Sequence, residues 1–132
     1  MKITYQTGLI PDTKDIVEVY RSSGIKRPVE DLARIANMYT NSNLIVTAWA
    51  GNKLVGISRS ITDFYYCCYL SDLAVRKEYQ KTGIGSELIA LTRERIGDQV
   101  ALILVSAPEA IDYYPKVGFD KINNGYMIKR SK

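Results

Sequence analysis

The sequence predicts a single domain of mixed α/β (α+β) class, in which about four helices flank a mixed, mostly antiparallel sheet of about seven strands. A chain of 132 residues has the length of one domain, and we expect residues 1–132 to fold as one unit. Segments with the two-residue period of strands alternate with segments of helical spacing, in the order β-α-α-β-β-β-α-β-α-β-β. A continuous apolar run over residues 101–105 is typical of a central strand that is buried on both faces.

The first third of the chain predicts one strand followed by two helices. Residues 2–6 alternate weakly between polar and apolar types and predict a short strand. The Pro-Asp-Thr sequence at residues 11–13 begins the first helix, and the Ser-Ser-Gly sequence at 22–24 ends it. We expect the second helix to begin at Pro28 and to end at the Asn-Ser-Asn sequence of residues 41–43.

The middle of the chain predicts an antiparallel meander of three strands. Residues 44–50 and 53–62 have the composition of strands, and the Gly-Asn dipeptide at 51–52 between them predicts a tight hairpin. After a turn at residues 63–64, a long third strand is expected over residues 65–75.

The last third predicts a helix, the buried strand described above, a short helix and a final hairpin. Residues 83–96 carry an apolar stripe at i, i+4 and i+7, which is typical of a helix. Residues 109–116 predict the short helix. Residues 119–122 and 126–130 predict a final strand pair, with its turn at the Asn-Asn-Gly sequence of 123–125.

Composition excludes several classes of protein. Hydrophobic residues make up 46% of the chain and charged residues 24%, which excludes a disordered tail, a collagen-like rod and a coiled coil. The apolar runs are shorter than the ~18 residues of a membrane span, and the N-terminus lacks the pattern of a signal peptide. The adjacent Cys67 and Cys68 are expected to be reduced thiols. We therefore expect a cytoplasmic protein with no membrane partner.

The charge and the lack of histidine argue against a nucleic-acid partner and a metal site. The net charge of +4 comes from scattered Lys and Arg residues, whereas a nucleic-acid site is a clustered patch, so we expect no nucleic-acid partner. A mild positive excess is compatible with an anionic small molecule. The sequence contains no histidine, which is the commonest metal ligand and the commonest general base at neutral pH, so no metal site is expected.

The segment of residues 70–87 is the most informative for chemistry, because a strand is followed by a polar loop with two glycines and then by a helix. The first N–H groups of a helix have no intrahelical partners and carry the positive end of its dipole, which predicts a phosphate or pyrophosphate site. It is not a P-loop, because Gly85 is followed by Ser-Glu instead of Lys and Ser or Thr. It is not a dinucleotide fingerprint, because seven residues separate Val75 from Gly83.

Two motifs stand out in the second half of the chain. A strand ending in Leu-Ala-Val at residues 73–75 precedes Gln-Lys-Thr-Gly-Ile-Gly at 80–85. An aromatic-Tyr pair, three further residues and Gly-Phe follow at residues 113–119. In order and spacing, these motifs resemble the two signatures of the GCN5-related N-acetyltransferases, the GNAT family. The predicted order of elements also resembles the family over nearly the whole chain. The resemblance implies an acetyl-CoA-dependent N-acetyltransferase with the GNAT fold.

The resemblance implies that acetyl-CoA binds between two splayed strands, without a metal. Its pantetheine arm would pair with the backbone of Leu73 and Val75 as an added strand does, and its pyrophosphate would bind the amides of residues 80–86. The cofactor-binding residues implied in this way are Leu73, Ala74, Val75, Gln80, Lys81, Thr82, Gly83, Ile84, Gly85 and Ser86. Ala107 stands where many relatives have an Asn that binds the pantetheine chain.

Tyr114 matches the usual general acid of the family, and Tyr113 beside it is expected to pack. A thiolate leaving group has an intrinsic pKa of about 8.5, and a phenol with a pKa of about 10 can donate a proton to it. The general base stays open between Asp72, Asp63 and a relayed water, because Tyr69 stands where some relatives carry a Glu base.

The acceptor is predicted to be a primary amine of a small molecule, or of a protein, bound between the first two helices and the middle strands. Candidate substrate-binding residues are Phe64, Tyr66 and Tyr69, and basic residues expected near the pocket mouth, which disfavour a polycationic acceptor, are Arg21, Lys26 and Arg27. A covalent route through either cysteine lacks a visible base. The alternative function is a non-catalytic acyl-CoA-binding or sensor module, and a monomer and a homodimer are both open.

Overall fold

The computed structural model describes residues 2–132, and five strands of this part of the chain form one sheet in the order β1-β2-β3-β4-β5. The strands are β1 (Ile3–Thr7), β2 (Leu44–Ala50), β3 (Lys53–Thr62), β4 (Cys67–Val75) and β5 (Ala101–Ile103). The helices are α1 (Thr13–Ser23), α2 (Leu32–Thr40), α3 (Ile84–Ile96) and α4 (Tyr113–Lys116). Strands β1 to β4 pair antiparallel and β5 pairs parallel to β4, which confirms the predicted mixed α/β class.

The ends of the first two helices follow from local chemistry. Helix α1 ends at Gly24, whose φ of 82° lets its N–H donate back to the carbonyl of Tyr20. Helix α2 begins at Leu32 and not at Pro28, because Pro28 lies in the preceding turn. The carboxylate of Asp31 accepts a hydrogen bond from the Arg34 N–H and so caps α2.

Two apolar clusters cover the two faces of the sheet. One cluster lies under α1 and α2 and includes Ile16, Tyr20 and Tyr39, and the other lies under α3 and includes Leu88. At Gly56 on β3, a Cβ atom would lie 3.1 Å from Ile84 and 3.2 Å from Leu88, so the glycine allows α3 to pack close to the sheet. Among residues 2–132, no helix is both long and apolar enough to cross a membrane.

A β-bulge in β4 changes which side chains face which helices. The pairing of β3 with β4 skips Ser71, which is therefore an extra residue in β4. Cys68 lies before the bulge and belongs to the cluster under α3, whereas Ala74 lies after it and belongs to the cluster under α1 and α2. Simple alternation along β4 therefore holds on each side of the bulge but not across it.

The C-terminal third differs most from the sequence prediction. The strand expected over residues 101–105 is three residues long and lies at the edge of the sheet, where Val105 is 60% exposed. The strand pair predicted at 119–122 and 126–130 is not formed, so the described residues contain five strands instead of about seven. A strand needs partners for its backbone hydrogen bonds, and residues 120–132 form none with any other described residue.

Two smaller boundaries also shift. The predicted helix at 109–116 is divided into a 3-10 turn at Pro108–Ala110 and the short helix α4. Strand β4 begins at Cys67 and not at residue 65, because the turn after β3 extends over residues 63–66.

Candidate active site

The site lies where β4 and β5 separate. The two strands pair at only three positions, Cys67–Tyr69 with Ala101–Ile103, and β4 continues to Val75 without a strand partner on this edge. This open edge is the gap that the resemblance implied for a ligand with amide groups.

The open edge of β4 presents free backbone groups to the gap. On the other edge, the Arg76 N–H donates to the carbonyl of Val55 on β3 at 2.8 Å. Successive residues of a strand direct their backbone groups to opposite edges, so the N–H groups of Val75 and Leu73 point into the gap. The Gln80 side chain also lies on this side, where its amide donates to the Val75 carbonyl at 2.9 Å. An added strand-like ligand therefore has backbone donors to pair with.

A cavity of about 250 Å³ occupies this gap. Its lining consists of Leu73, Val75, Tyr79, Gln80, Lys81, Ile84, Gly85, Ala110, Tyr113 and Tyr114. Six of the ten predicted cofactor-binding residues thus meet Tyr114, the predicted general acid, at one cavity. Of the other four, Ala74 is buried in the cluster under α1 and α2, while Thr82, Gly83 and Ser86 belong to the adjoining loop and the first turn of α3.

The loop before α3 leaves the start of that helix open. Gly83, with a φ of 91°, directly precedes α3, and no side chain caps the helix N-terminus. Lys81 also has a positive φ, of 64°, which bends the loop just before it reaches the helix. The first N–H groups of α3 therefore lack side-chain partners, and they add to the positive end of the helix dipole. This arrangement fits a pyrophosphate, and Lys81 lies in the lining of the cavity.

Tyr113 was expected only to pack, but it also lines the cavity. Its hydroxyl lies above the first turn of α3, where a Cβ on Gly85 would be 2.9 Å from the hydroxyl oxygen. The glycine at this position of the loop motif therefore makes room for Tyr113. The sequence motif marks both residues, but only the fold brings their distant segments together.

The second motif holds Tyr114 through a reversal of the chain. Gly118 has a φ of 104°, and the Phe119 N–H donates to the Tyr114 carbonyl at 3.1 Å. The Phe119 ring packs edge-on against the Tyr114 ring, with 5.5 Å between the centroids. Burial raises the pKa of the Tyr114 hydroxyl, nearby Tyr113 raises it further, and the charge of Arg27 opposes them. The phenol is therefore protonated at neutral pH and is available as a proton donor.

Asp72, one of the candidate bases, is the centre of a buried polar network. Its carboxylate is fully buried, accepts hydrogen bonds from the Tyr20 hydroxyl and Arg59 Nε at 2.6 Å each, and pairs with Arg27. Burial opposes its ionisation, but the hydrogen bond and charge of Arg59, with the charge of Arg27, outweigh it and lower the Asp72 pKa. A carboxylate held in this way is a weak proton acceptor, and Asp72 does not line the cavity. No local signal marks this network, because its members are far apart in sequence.

Asp63, the other carboxylate considered, holds the turn between β3 and β4. Its Oδ1 atom accepts hydrogen bonds from the N–H groups of Tyr66, Tyr65 and Cys67 at 2.8, 2.9 and 3.1 Å. These hydrogen bonds lower the pKa of Asp63, so it too is a weak base. It also lies outside the lining of the cavity.

Neither cysteine lies at the cavity. Cys68 is buried, and this burial raises the pKa of its thiol, which keeps it protonated at neutral pH. Cys67 is exposed at the start of β4. Its position is six residues before that of Leu73, which is about 20 Å along a strand.

The predicted substrate-binding residues are not brought together. Phe64 packs against the cluster under α3, and Tyr66 lies exposed in the turn after β3. Tyr69 precedes the bulge and alternates with Cys68, so it lies on the face of α1 and α2, where Asp72 and Arg27 also lie. Their roles in binding stay a prediction.

Comparison with known proteins agrees with this geometry. Residues 16–128 match the acetyltransferase (GNAT) domain family. A probable acetyltransferase from meticillin-resistant Staphylococcus aureus is 25% identical, with a TM-score of 0.80 over 98% of this chain and 98% of that chain. No curated protein matches this chain.

Two further solved structures show the same fold at lower identity. A GNAT-family acetyltransferase from Streptococcus pneumoniae is 23% identical, with a TM-score of 0.75 over 98% of this chain and 100% of that chain. An aminoglycoside N-acetyltransferase in complex with CoA is 12% identical, with a TM-score of 0.74 over 99% of this chain and 96% of that chain. Because the family match extends over most of the sequence, the chain belongs to the GNAT acetyltransferase family.

Proposed function

We propose that the protein transfers the acetyl group of acetyl-CoA to a primary amine of a small molecule by direct attack. The observation that carries this proposal is the meeting of three features at one cavity: the open edge of β4, the uncapped N-terminus of α3 and the Tyr114 hydroxyl. Together they match the three parts of the donor substrate, which are the pantetheine arm, the pyrophosphate and the thioester.

The chain's own groups account for donor binding. The N–H groups of Leu73 and Val75 are directed into the gap and suit the carbonyl oxygens of a pantetheine arm. The first turn of α3 suits the pyrophosphate, and each contact of a charge with the helix dipole contributes about 0.3–1 kcal/mol. Several such amides, with Lys81 beside them, are therefore needed for useful affinity.

Tyr114 supplies the proton that the leaving group needs. In the transfer, the amine nitrogen forms a bond to the acetyl carbon, and the carbon–sulfur bond breaks to leave a thiolate. The Tyr114 hydroxyl then donates its proton to the sulfur, and the proton released by the amide nitrogen restores the Tyr114 phenol through solvent. General acids of this kind contribute typically about 10²–10⁴-fold to the rate.

The amine must lose a proton before it attacks. An alkylammonium group with a pKa of about 10.4 is neutral in only about 1 part in 2,500 at pH 7, which costs about 4.6 kcal/mol. Asp72 and Asp63 are engaged with their own partners and have lowered pKa values. We therefore assign the amine's proton to water in the cavity.

The acceptor amine is expected on the α1 and α2 face of the sheet, and the charge there favours an amine with few positive charges. The charge of Arg27 is close enough to Tyr114 to oppose the rise that burial causes in the Tyr114 pKa. Asp72 is shared between Arg27 and Arg59, which leaves a net positive charge there. Tyr69 on the same face would offer an aromatic wall. We expect monoamines to be better acceptors than polyamines or aminoglycosides, although aminoglycoside N-acetyltransferases share the fold.

A non-catalytic acyl-CoA-binding module is the second candidate. It is favoured by Ala107, which offers no side-chain amide where many relatives have an Asn. The neighbouring Ser106 hydroxyl donates to the Ala107 carbonyl at 2.7 Å and so does not replace that amide freely.

The test combines thiol release from acetyl-CoA over a panel of amines with calorimetric titration of acetyl-CoA alone. We expect release that depends on one class of amine, and a Tyr114→Phe variant that loses at least 10-fold in kcat with unchanged acetyl-CoA affinity. Tyr65→Phe is the matched control, because Tyr65 is 77% exposed and lies outside the cavity. Undiminished turnover in Tyr114→Phe would contradict the role of Tyr114. Binding without release on any amine would support the second candidate.

A further inference from the structure

A second cavity, of about 260 Å³, lies beside β5 and has the shape of a slot. We use the name slot for this cavity, whose lining includes residues 102–104 of β5 and its continuation and residues 119–122. Its walls are mainly apolar, and Tyr114 also lines it. The slot runs along the edge of β5 that has no strand partner among the described residues. The space beside this edge is therefore bordered by two segments with which an additional strand could pair.

The C-terminal arm, defined as residues 123–132, carries exposed apolar side chains that could fill an apolar slot. The Tyr126 and Ile128 side chains are 100% exposed, and Met127 is 60% exposed. The arm forms no hydrogen bond with any other described residue. It is a segment outside helices and strands, with strand-forming side chains and free backbone groups, which is a complement for an open sheet edge.

The arm does not turn back into the slot of its own chain. A two-residue hairpin turn of type I′ needs a positive φ at both central residues, as in the common Asn-Gly pair. Asn124 and Gly125 are that pair in this sequence, but neither has a positive φ. The chain therefore lacks this tight turn after residues 119–122, and the arm that follows is exposed.

We propose that the C-terminal arm of one chain inserts into the slot of a second copy, and that the second copy's arm inserts reciprocally into the first. Residues 126–130 would then form a strand between β5 and residues 119–122 of the other copy. Each sheet would gain the two strands that the sequence pattern predicts at 119–122 and 126–130, and would reach about seven. The exchange is symmetric, as in a two-fold dimer, so it closes and does not form a chain of copies.

The geometry permits this exchange and links it to the active site. The eight residues 123–130 extend over about 26 Å, which is enough to leave one chain and span a slot in another. The slot includes Tyr114 and Pro115, and Tyr114 also lines the cofactor cavity, so the inserted arm would lie beside Tyr114. The proposal concerns assembly and does not depend on the proposed function.

The first experiment measures the molar mass in solution by light scattering at micromolar concentration. We expect about twice the chain mass of 14.9 kDa for the natural sequence, and a single chain mass for the double variant Tyr126→Asp, Ile128→Asp. Tyr65→Asp is the matched control, since it places the same charge on another exposed tyrosine, and we expect it to remain dimeric. A monomeric natural chain would overturn the proposal, as would a double variant that stays dimeric.

The second experiment identifies which chain fills the slot and does not rely on the folding of the double variant. Two differently tagged chains, both with Cys67→Ser, are co-expressed: one carries Ile103→Cys, and the other carries Tyr126→Cys, Met127→Cys or Ile128→Cys in turn. We expect a disulfide between the two tagged chains for at least one arm position, and none with Tyr65→Cys in the second chain. In a single chain that carries both cysteines, an internal disulfide without any interchain product would show that the arm fills its own slot, and would refute the exchange.

Discussion

Residues 2–96 and the residues after 100 both carry strand and helix patterns, but they differ in how far their strands find partners and their apolar side chains are buried. Strands β1 to β4 pair with one another along their length, and helices cover both faces of the sheet. After residue 100, the chain forms a three-residue edge strand, a four-residue helix and an arm with exposed apolar side chains. The first region buries its two apolar clusters within the chain, but the edge of β4 beyond Tyr69 stays open at the gap, which suits a donor substrate. The second region leaves the slot, which suits a second copy.

The largest expected effect comes from breaking the buried ion pairs of Asp72 in the first region. Asp72→Asn removes the charge that Arg27 and Arg59 share, and leaves the buried Arg59 without its carboxylate partner. Loss of one member of a buried ion pair costs about 3–5 kcal/mol. We expect the free energy of unfolding in urea to fall by this amount. Asp98→Asn is the control, since Asp98 is exposed and has no ion-pair partner among the described residues, and an equal loss there would contradict the explanation.

The pH dependence of the free energy of unfolding gives a second test of the Asp72 ion pairs. The folded-state pKa of Asp72 is lowered below the unfolded value of about 3.9, so its contribution is fully present above about pH 5, where both states are ionised. It is lost as the pH falls through the folded-state pKa, because the folded state then has to take up the proton that the unfolded chain already holds. We expect urea unfolding of the natural chain at pH 7, 5, 4 and 3 to show a loss at acid pH. The Asp72→Asn variant should lack the part of this loss that Asp72 causes. If the variant and the natural chain lost stability in parallel as the pH falls, the role given to Asp72 would be wrong.

A pair of identical substitutions gives the smallest expected effects. Gly56→Ala places a methyl group 3.1 Å from Ile84 and 3.2 Å from Leu88, and overpacking of this kind costs about 1–3 kcal/mol. Gly125→Ala meets only Ile122, at 3.9 Å, and its φ is not positive, so we expect a change within about 0.5 kcal/mol. Thermal unfolding of both variants measures the contrast. A costly Gly125→Ala would indicate that the arm makes a hairpin turn.

Local patterns predicted the antiparallel meander well because its signals are local. The Gly-Asn turn at 51–52 joins β2 and β3 as expected, and both strands have the predicted limits of residues 44–50 and 53–62. The bulge at Ser71 was not predicted, since it is visible only in the pairing of β4 with β3. The role of Asp72 was equally hidden, because its partner Arg27 lies 45 residues away in sequence.

By itself, the sequence determined the family, the order of elements as far as α4 and the two motifs that meet at the cavity. These depend on short-range spacing, on glycine at positive φ and on helix ends, which a pattern of residue types expresses directly. Only the tertiary structure decided that Asp72 is held by two arginines, that Tyr113 lies over Gly85 and that the last two predicted strands lack partners. Those outcomes depend on burial and on which backbone edges are free, and both quantities exist only once distant segments of the chain have come together.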